Sequence, residues 1–271
     1  MDPIAKTAYY CCGVRMLDAH EKSPVCGDHY AELFMDADAR AVFQRFESFR
    51  GPNAANAARH RIIDDILRER IAARPNQPIL LLGAGFDTRA FRLGGGDWFE
   101  IDTPAIVAHK EHILPARSAP NKLTRMGMDF GQEKLEPKLE TLAAQGNPVV
   151  VVMEGVSMYL TPEQLRATLA TLVGSLPGHT LVCDLMSAAF ARRYGWRMRQ
   201  RIRELGGNFA PLLDEPADFV IAQGYRERGR HSISGRAVEH GSVPLPRWLF
   251  NSLLKSLRDG YQLYVFESLP E

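Results

Sequence analysis

Glycines and carboxylates follow four apolar segments of the sequence, at the points where each segment ends. Taken segment by segment, they are Gly83, Ala84, Gly85 and Asp87, then Asp102, then Asp129 beside Phe130, then Glu154. Open α/β sheets bind ligands outside the carboxyl ends of their strands. A single carboxylate at a strand end is common, but this recurrence predicts a binding site along one rim of a sheet.

The first of these segments resembles the start of a dinucleotide-binding loop. Asp102 lies 19 residues after Gly83 (102 − 83), which is about the spacing at which an acid binds a ribose diol. A dinucleotide loop also needs a third glycine, where this sequence has Thr88, and Asp87 adds a negative charge where a pyrophosphate would approach. The pattern therefore predicts an adenosine ligand without a pyrophosphate. S-adenosylmethionine fits best, because its ammonium and sulfonium groups tolerate nearby carboxylates.

The elements that must position these residues form a regular alternation. From Gln77 onward, short apolar runs alternate with amphipathic segments, which is typical of βαβ units around a parallel sheet. The predicted strands are 79–82, 97–101, 122–128 (toward an edge), 148–153, 179–185, 225–233 and 261–266. The predicted helices are 103–114, 131–144, 161–172, 216–223 and 246–257. We expect a seven-stranded sheet with one antiparallel edge.

Two regions interrupt this alternation. Residues 1–75 are mostly helical by pattern and are expected to cap a core at 76–271, the two making one structural domain. Within the cap, Arg59 shares the inward face of a helix with Ile62 and Ile63. A buried arginine needs an anionic partner, and the carboxylate of a methionine moiety would supply one. The second region is a helical insertion at about 187–215, rich in arginine.

Bulk composition restricts the partners. Lys and Arg number 33 against 32 Asp and Glu, so no global charge attracts nucleic acid or an anionic membrane. No apolar run approaches the roughly 18 residues of a membrane span, and the N-terminus lacks the pattern of a secretory signal. The four cysteines have no metal-ligand spacing, so we expect no metal site and a reducing, cytoplasmic location. The sequence does not decide between a monomer and a dimer.

Longer motifs identify a family. The runs LLGAGFDTRAFRL, WFEIDTP, MDF and MEGVSMYLTPEQ, in this order, resemble the leucine carboxyl methyltransferase family. They are most similar to its bacterial branch of tetracenomycin-type polyketide O-methyltransferases. The resemblance covers most of the chain. It implies a class I S-adenosylmethionine-dependent methyltransferase, with a Rossmann-like, seven-stranded, mostly parallel sheet, helices on both faces and an N-terminal helical cap.

The resemblance also implies roles by position. Arg59 would bind the methionine carboxylate, Asp102 the ribose hydroxyls, and Glu154 the amino or sulfonium end. Gly83, Ala84, Gly85 and Asp87 would form the cofactor loop, and Asp129 with Phe130 would bracket the adenine. Tyr159 either contacts the methyl acceptor or is a core aromatic residue with a solvated hydroxyl.

The acceptor is not specified by the fold. A carboxylate is ionised at neutral pH and needs no base, whereas a phenol or alcohol does. The eight histidines are scattered without a motif, which favours a carboxylate on a small molecule such as a polyketide or other secondary metabolite. Hydroxyl methylation, carboxyl methylation of a protein C-terminus, and cofactor binding without turnover stay open. A nicotinamide oxidoreductase is disfavoured by the missing third glycine.

The six arginines between Arg192 and Arg203 also have two interpretations. They form either a solvated helix face or part of a lid in which an arginine contacts the acceptor carboxylate.

Overall fold

All seven strands predicted from the sequence are present. The computed structural model describes residues 3–130, 132–243 and 246–269. The strands are β1 (Pro78–Leu82), β2 (Asp97–Asp102), β3 (Lys122–Gly127), β4 (Val150–Met153), β5 (Thr180–Met186), β6 (Tyr225–Ser232) and β7 (Tyr261–Ser268). They form one sheet in the order β3-β2-β1-β4-β5-β7-β6.

The direction of β7 corrects one expectation. Strands β1 to β5 pair in parallel, and β7 is antiparallel to both β5 and β6. The antiparallel strand was expected at an edge, but it lies inside the sheet. Most of β7 is buried, whereas β6 alternates exposed charged residues with less exposed ones, as suits an edge strand. Strand β3 forms the other edge, as its polar content predicts.

The helices surround this sheet. They are α1 (Pro3–Ala19), α2 (Ala37–Gln44), α3 (Arg50–Ala73), α4 (Arg89–Arg92), α5 (Pro104–Ile113), α6 (Glu136–Ala143), α7 (Pro162–Ser175), α8 (Ala188–Arg193), α9 (Trp196–Glu204), α10 (Pro216–Ile221), α11 (Ile233–Glu239), α12 (Arg247–Leu253) and α13 (Lys255–Asp259). Helix α7 begins as predicted, because Thr161 and Gln164 form a reciprocal capping box.

Three helical predictions differ from the structure. Helix α6 begins at Glu136 instead of residue 131, because Pro137 fits only the first turn of a helix; Gly131 itself lies outside the described residues. The helix predicted at 246–257 is split into α12 and α13 at Leu254, whose φ is −105° and ψ 35°. Helix α11, absent from the prediction, begins where Ser232 caps its first turn.

Each face of the sheet has its own apolar core. On one face, Leu80, Leu82 and Val151 pack with buried residues of α6 and α7. On the other, Ile79 and Val150 pack with buried residues of α1, α2 and α3. The N-terminal helices thus share a core with the sheet. The division of the chain at residue 75 stays a prediction.

Helix α3 buries the apolar stripe that its spacing predicts, with Ile62, Ile63, Leu67 and Ile71 inside. Within the described part of the chain, no helix combines the length and the hydropathy that a membrane span requires.

Candidate functional site

The carboxyl ends of the parallel strands open into a cavity of about 950 Å³. The N-terminal helices and the segment after β5 form its other walls. All nine residues predicted to bind a cofactor line it: Arg59, Gly83, Ala84, Gly85, Asp87, Asp102, Asp129, Phe130 and Glu154. Tyr159 lines it as well. The structure therefore brings together residues from helix α3 and from the ends of four strands.

The loop after β1 depends on glycine. Gly83 has φ +73° and Gly85 has φ +48°, conformations that favour glycine. A Cβ atom on Gly83 would lie only 2.5 Å from Cγ2 of Val156. The Gly83 and Ala84 N–H groups donate to the carbonyl of Ile101 at 2.8 and 3.2 Å. The loop is thereby held against the end of β2, with its backbone at the cavity wall.

Asp102 anchors the same loop from the end of β2. Its Oδ2 accepts from the Gly85 N–H, and its Oδ1 accepts from the Thr103 N–H, both at 2.7 Å. Burial raises the pKa of Asp102, although both hydrogen bonds act in the opposite direction. Two carboxylate oxygens offer about four acceptor positions. Asp102 can therefore accept from two ligand hydroxyls while it holds the loop.

Arg59 points from α3 into the cavity with its charge compensated. Its Nε donates to Glu154 Oε1 at 3.1 Å, and its Nη1 donates to Asp184 Oδ2 at 3.2 Å and to the Tyr261 hydroxyl at 2.6 Å. Its Nη2 has no described partner nearer than the Cys11 sulfur, 4.0 Å away. Carboxylates of the protein thus already compensate the charge of Arg59, so its burial does not by itself require the predicted ligand carboxylate; one nitrogen is left that could bind it.

Glu154 is enclosed by cationic and polar groups. Its Oε2 accepts from Nη1 of Arg89 at 2.9 Å and lies 3.2 Å from Nδ1 of His60. Burial alone would raise the pKa of Glu154, but Arg89, His60 and Arg59 outweigh it and hold that pKa well below its usual range. Glu154 therefore stays ionised and cannot serve as a proton acceptor near neutral pH.

His60 is neutral in this environment, because burial and the neighbouring Arg89 lower its pKa. Nη2 of Arg92 lies 2.8 Å from Nε2 of His60, and Nη2 of Arg89 lies 2.7 Å from Nδ1 of His60, so a guanidinium donor faces each ring nitrogen. No sequence motif singles out His60. Asp184 and Tyr261 were missed too, although a lone aspartate within the apolar strand β5 is a signal that a buried partner exists.

Asp87 differs from its sequence interpretation. Its carboxylate accepts from the backbone N–H of Arg89 at 2.7 Å and pairs with the Arg89 guanidinium. Its charge is thus paired with the Arg89 guanidinium, which Asp64 and Glu154 share. Thr88, which replaces the third glycine of a dinucleotide loop, has a structural contact of its own, since its hydroxyl donates to the buried Asp28 at 2.6 Å.

Arg89 is the centre of a buried ionic network that the sequence analysis missed. Fully buried, it donates to Asp64 on α3 at 2.6 Å as well as to Asp87 and Glu154. Arg92 reaches the same aspartate at 2.9 Å. The network connects the cofactor loop to the N-terminal helices, which explains why the two arginines follow that loop.

One group among the described residues has the spacing of a metal site. Ligand atoms of His60, Asp87 and Glu154 lie within 4.8 Å of one another. The Arg89 guanidinium contacts all three, with Nη2 2.7 Å from Nδ1 of His60. A cation is therefore already present at this position, in the form of a side chain.

Much of the cavity is lined by apolar side chains. Its lining includes Phe190, Met198, Ile202, Phe209, Val238, Phe250 and Leu257. Helix α9 turns Met198 and Ile202 toward this space. The six arginines of α8 and α9 lie elsewhere: none of Arg192, Arg193, Arg197, Arg199, Arg201 and Arg203 is among the described lining residues. The solvated-face interpretation suits this geometry better than an arginine on the acceptor.

Tyr159 lines the cavity and is held by two contacts. Its hydroxyl is hydrogen-bonded to Thr7, and burial raises its pKa. Its ring meets that of Phe209 edge to face, with centroids 5.4 Å apart. Among the described lining residues there is no histidine.

The fold is the class I, Rossmann-like α/β fold that solved methyltransferases share. A DUF574 family protein from Streptomyces avermitilis has a similar crystal structure, with a TM-score of 0.62, 11% identity, and coverage of 96% of this chain and 97% of the other. The magnesium protoporphyrin IX methyltransferase of Synechocystis, crystallised with S-adenosylhomocysteine, has a TM-score of 0.51 at 12% identity, covering 87% and 96%.

Sequence comparison then gives the family. The leucine carboxyl methyltransferase model matches residues 8–173, and the chain belongs to this family. The tetracenomycin polyketide synthesis O-methyltransferase TcmP of Streptomyces glaucescens is 25% identical, over 87% of this chain and 85% of its own. The cofactor is S-adenosylmethionine. The residues present fit it, since the glycine loop, the Asp102 carboxylate and the open Arg59 nitrogen supply the donors and acceptors that it requires.

Proposed function

We propose that this protein methylates a carboxylate of an apolar small molecule and so forms a methyl ester. The observation that carries the proposal is the cavity lining, which includes many apolar side chains and, among the described residues, no histidine. The relative TcmP, an O-methyltransferase of polyketide synthesis by name, supports an oxygen acceptor.

The strand ends and Arg59 would hold the cofactor. Asp102 would accept from the ribose hydroxyls, and Arg59 Nη2 would donate to the methionine carboxylate. Glu154 would lie near the ammonium or sulfonium end. Asp129 and Phe130 would border the adenine, since both line the cavity after β3 and the Phe130 ring is 40% exposed.

When bound, S-adenosylmethionine supplies a methyl group on a sulfonium centre. The residues of the chain contribute alignment and exclusion of water, which can account for a large part of such a rate. Phe190, Met198 and Ile202 would bind the hydrocarbon part of the acceptor, while its carboxylate points toward the methyl group of the cofactor.

The need for a proton acceptor favours a carboxylate over a phenol as the methyl acceptor. A phenol would have to lose its proton to a base with a pKa near the working pH. The neighbouring cations hold the pKa of Glu154 far below that range, and burial raises the pKa of Tyr10 and Tyr159 above it. A carboxylic acid with a pKa near 4 is already ionised and avoids this requirement.

The test compares two acceptors with the same ring system, naphthoic acid and naphthol. We expect methylation of naphthoic acid with kcat/KM independent of pH between about pH 6 and 9, because the acceptor stays ionised there. Methylation of naphthol alone, with a rate that rises through a single pKa, would replace this proposal with a base-assisted reaction. Cofactor binding without methylation of either compound or of a wider acid panel would favour a protein without turnover.

A further inference from the structure

Asp184 is a fully buried carboxylate near the end of β5 that joins three other segments of the site. Its Oδ1 accepts from the Gly155 N–H at 2.6 Å. Its Oδ2 accepts from the Tyr261 hydroxyl at 2.6 Å and lies 3.2 Å from Nη1 of Arg59. Asp184 is not among the described residues that line the cavity, so it acts on a ligand only through the residues that it holds.

The neighbouring strand β7 supplies a second anchor for Arg59. Asp184 lies opposite Leu263 in the antiparallel pair, which makes Tyr261 its diagonal neighbour on the same face of the sheet. The Tyr261 hydroxyl also accepts from Nη1 of Arg59 at 2.6 Å. Burial raises the pKa of Tyr261 well above its usual value, so the hydroxyl keeps its proton and donates to Asp184. The position of β7 inside the sheet is therefore what brings Tyr261 to this site.

These contacts determine the direction of the remaining nitrogen of Arg59. A guanidinium group is planar, so two fixed nitrogens also fix the third. Glu154 holds Nε, and Asp184 with Tyr261 holds Nη1. Gly155 lies close to the third nitrogen, because a Cβ atom there would be 3.1 Å from Nη2. Without the anchors on Nη1, the group would be free to pivot about Nε, and Nη2 would lose its fixed direction.

We propose that Asp184 and Tyr261 are positioning residues that direct Nη2 of Arg59 toward the methionine carboxylate of the cofactor. The proposal rests on the proposed role of Arg59 in cofactor binding and not on the identity of the methyl acceptor. Both residues act on that carboxylate through Arg59. Their contribution to affinity should therefore exist only for ligands that carry the carboxylate.

The experiment measures Kd by calorimetry for S-adenosylhomocysteine and for its analogue in which hydrogen replaces the carboxylate. Tyr261→Phe removes one anchor of Nη1 without a change of charge. It should raise the Kd of S-adenosylhomocysteine about 3- to 10-fold, the loss of one hydrogen bond, and change that of the analogue less than about twofold. Tyr264→Phe is the matched control, since it removes a hydroxyl from the same strand in the core of the other face of the sheet. It should leave both Kd values unchanged.

A second variant, Asp184→Asn, separates position from charge. The Asp184 carboxylate repels a ligand carboxylate, so an effect through charge alone would make this variant bind S-adenosylhomocysteine more tightly. Both oxygens of Asp184 accept hydrogen bonds, so an amide would set an N–H against the donor of Gly155 or of Arg59. Positioning therefore predicts binding of S-adenosylhomocysteine that is weaker by at least about threefold, with little change for the analogue. Tighter binding by Asp184→Asn, or an equal loss for both ligands in either variant, would overturn the proposal.

The role of Arg59 and its positioning fail in different ways. If the wild type binds S-adenosylhomocysteine and the analogue equally, Arg59 does not bind the carboxylate, and both its assigned role and this inference are refuted. If the wild type prefers S-adenosylhomocysteine and Tyr261→Phe keeps the whole preference, only the positioning is refuted. Neither result bears on carboxyl methylation, which the comparison of naphthoic acid with naphthol tests separately.

Discussion

Removal of the Asp102 carboxylate tests the assignment of the cofactor site most sharply. Its two oxygens already accept from Gly85 and Thr103, and two further positions are proposed to accept from the ribose hydroxyls. A hydrogen bond to a charged group contributes about 1.5–3 kcal/mol, so two of them contribute about 3–6 kcal/mol. Each 1.4 kcal/mol is a factor of ten in Kd. Asp102→Ala should therefore weaken S-adenosylhomocysteine about 10²- to 10⁴-fold.

Calorimetry with two ligands separates this role from support of the loop. The second ligand is the analogue of S-adenosylhomocysteine in which hydrogens replace both ribose hydroxyls. In a double-mutant cycle, the wild type should lose affinity for the analogue, and Asp102→Ala should bind both ligands almost equally. Asp97→Ala, at the opposite end of β2 and paired with Lys122, is the control. If Asp102→Ala weakens both ligands by the same factor, Asp102 acts through the loop and the ribose assignment is refuted.

Three further predictions concern the loop, the network and pH. Gly83→Ala should weaken the binding of S-adenosylhomocysteine more than about tenfold in calorimetry, because the added Cβ would meet Val156. Gly178→Ala is the control: Gly178 has the same φ of +73°, but a Cβ there would have no atom within 4 Å, so binding should be unchanged. Asp64→Asn should lower the free energy of unfolding, measured in urea, by about 3–5 kcal/mol. The control Asp65→Asn, at a partly exposed residue, should lower it by less than about 1 kcal/mol. Equal losses would contradict the claim that the buried network stabilises the fold. Burial would raise the pKa of Asp64, but Arg89, His60 and Arg92 lower it. The stabilisation by ionised Asp64 is therefore present above the unfolded pKa near 4 and is lost as pH falls toward the lower folded pKa. The free energies of unfolding of the wild type and of Asp64→Asn should therefore converge in acid. Burial raises the pKa of Asp102, so cofactor affinity should fall as pH drops through that raised value, and Asp102→Ala should lack this dependence.

Local sequence patterns predict the elements of this fold better than their arrangement. The apolar runs at Ile79–Leu82 and Val150–Met153 reveal buried strands, because a strand covered on both faces needs no polar alternation. The place of β7 inside the sheet is not encoded in its own residues. The sequence of β6 was a better indication of the strand order, because its charged residues alternate with less exposed ones, as expected for a strand at the edge of a sheet.

The site residues also differ in how well the sequence predicts them. Gly83 and Asp102 could be predicted because parallel strands bring their carboxyl ends to one rim, which makes spacing informative. The pairing of Arg89 with Asp64 and Glu154 joins segments that are far apart in sequence, so only the packing of α3 against the loop determines it. Asp87 was interpreted without its partner, although Arg89 is two residues away.

The central claim is that the product is a methyl ester, and its alkaline lability is the most direct measurement. The protein is incubated with naphthoic acid and S-adenosylmethionine labelled on the methyl group, and the product is treated with mild alkali. An ester releases its label as volatile methanol, whereas an aryl methyl ether retains it. We expect the label in the volatile fraction, with none transferred by Asp102→Ala at the same cofactor concentration. Label that stays in an alkali-stable product, or that is transferred only to naphthol, would contradict carboxyl methylation.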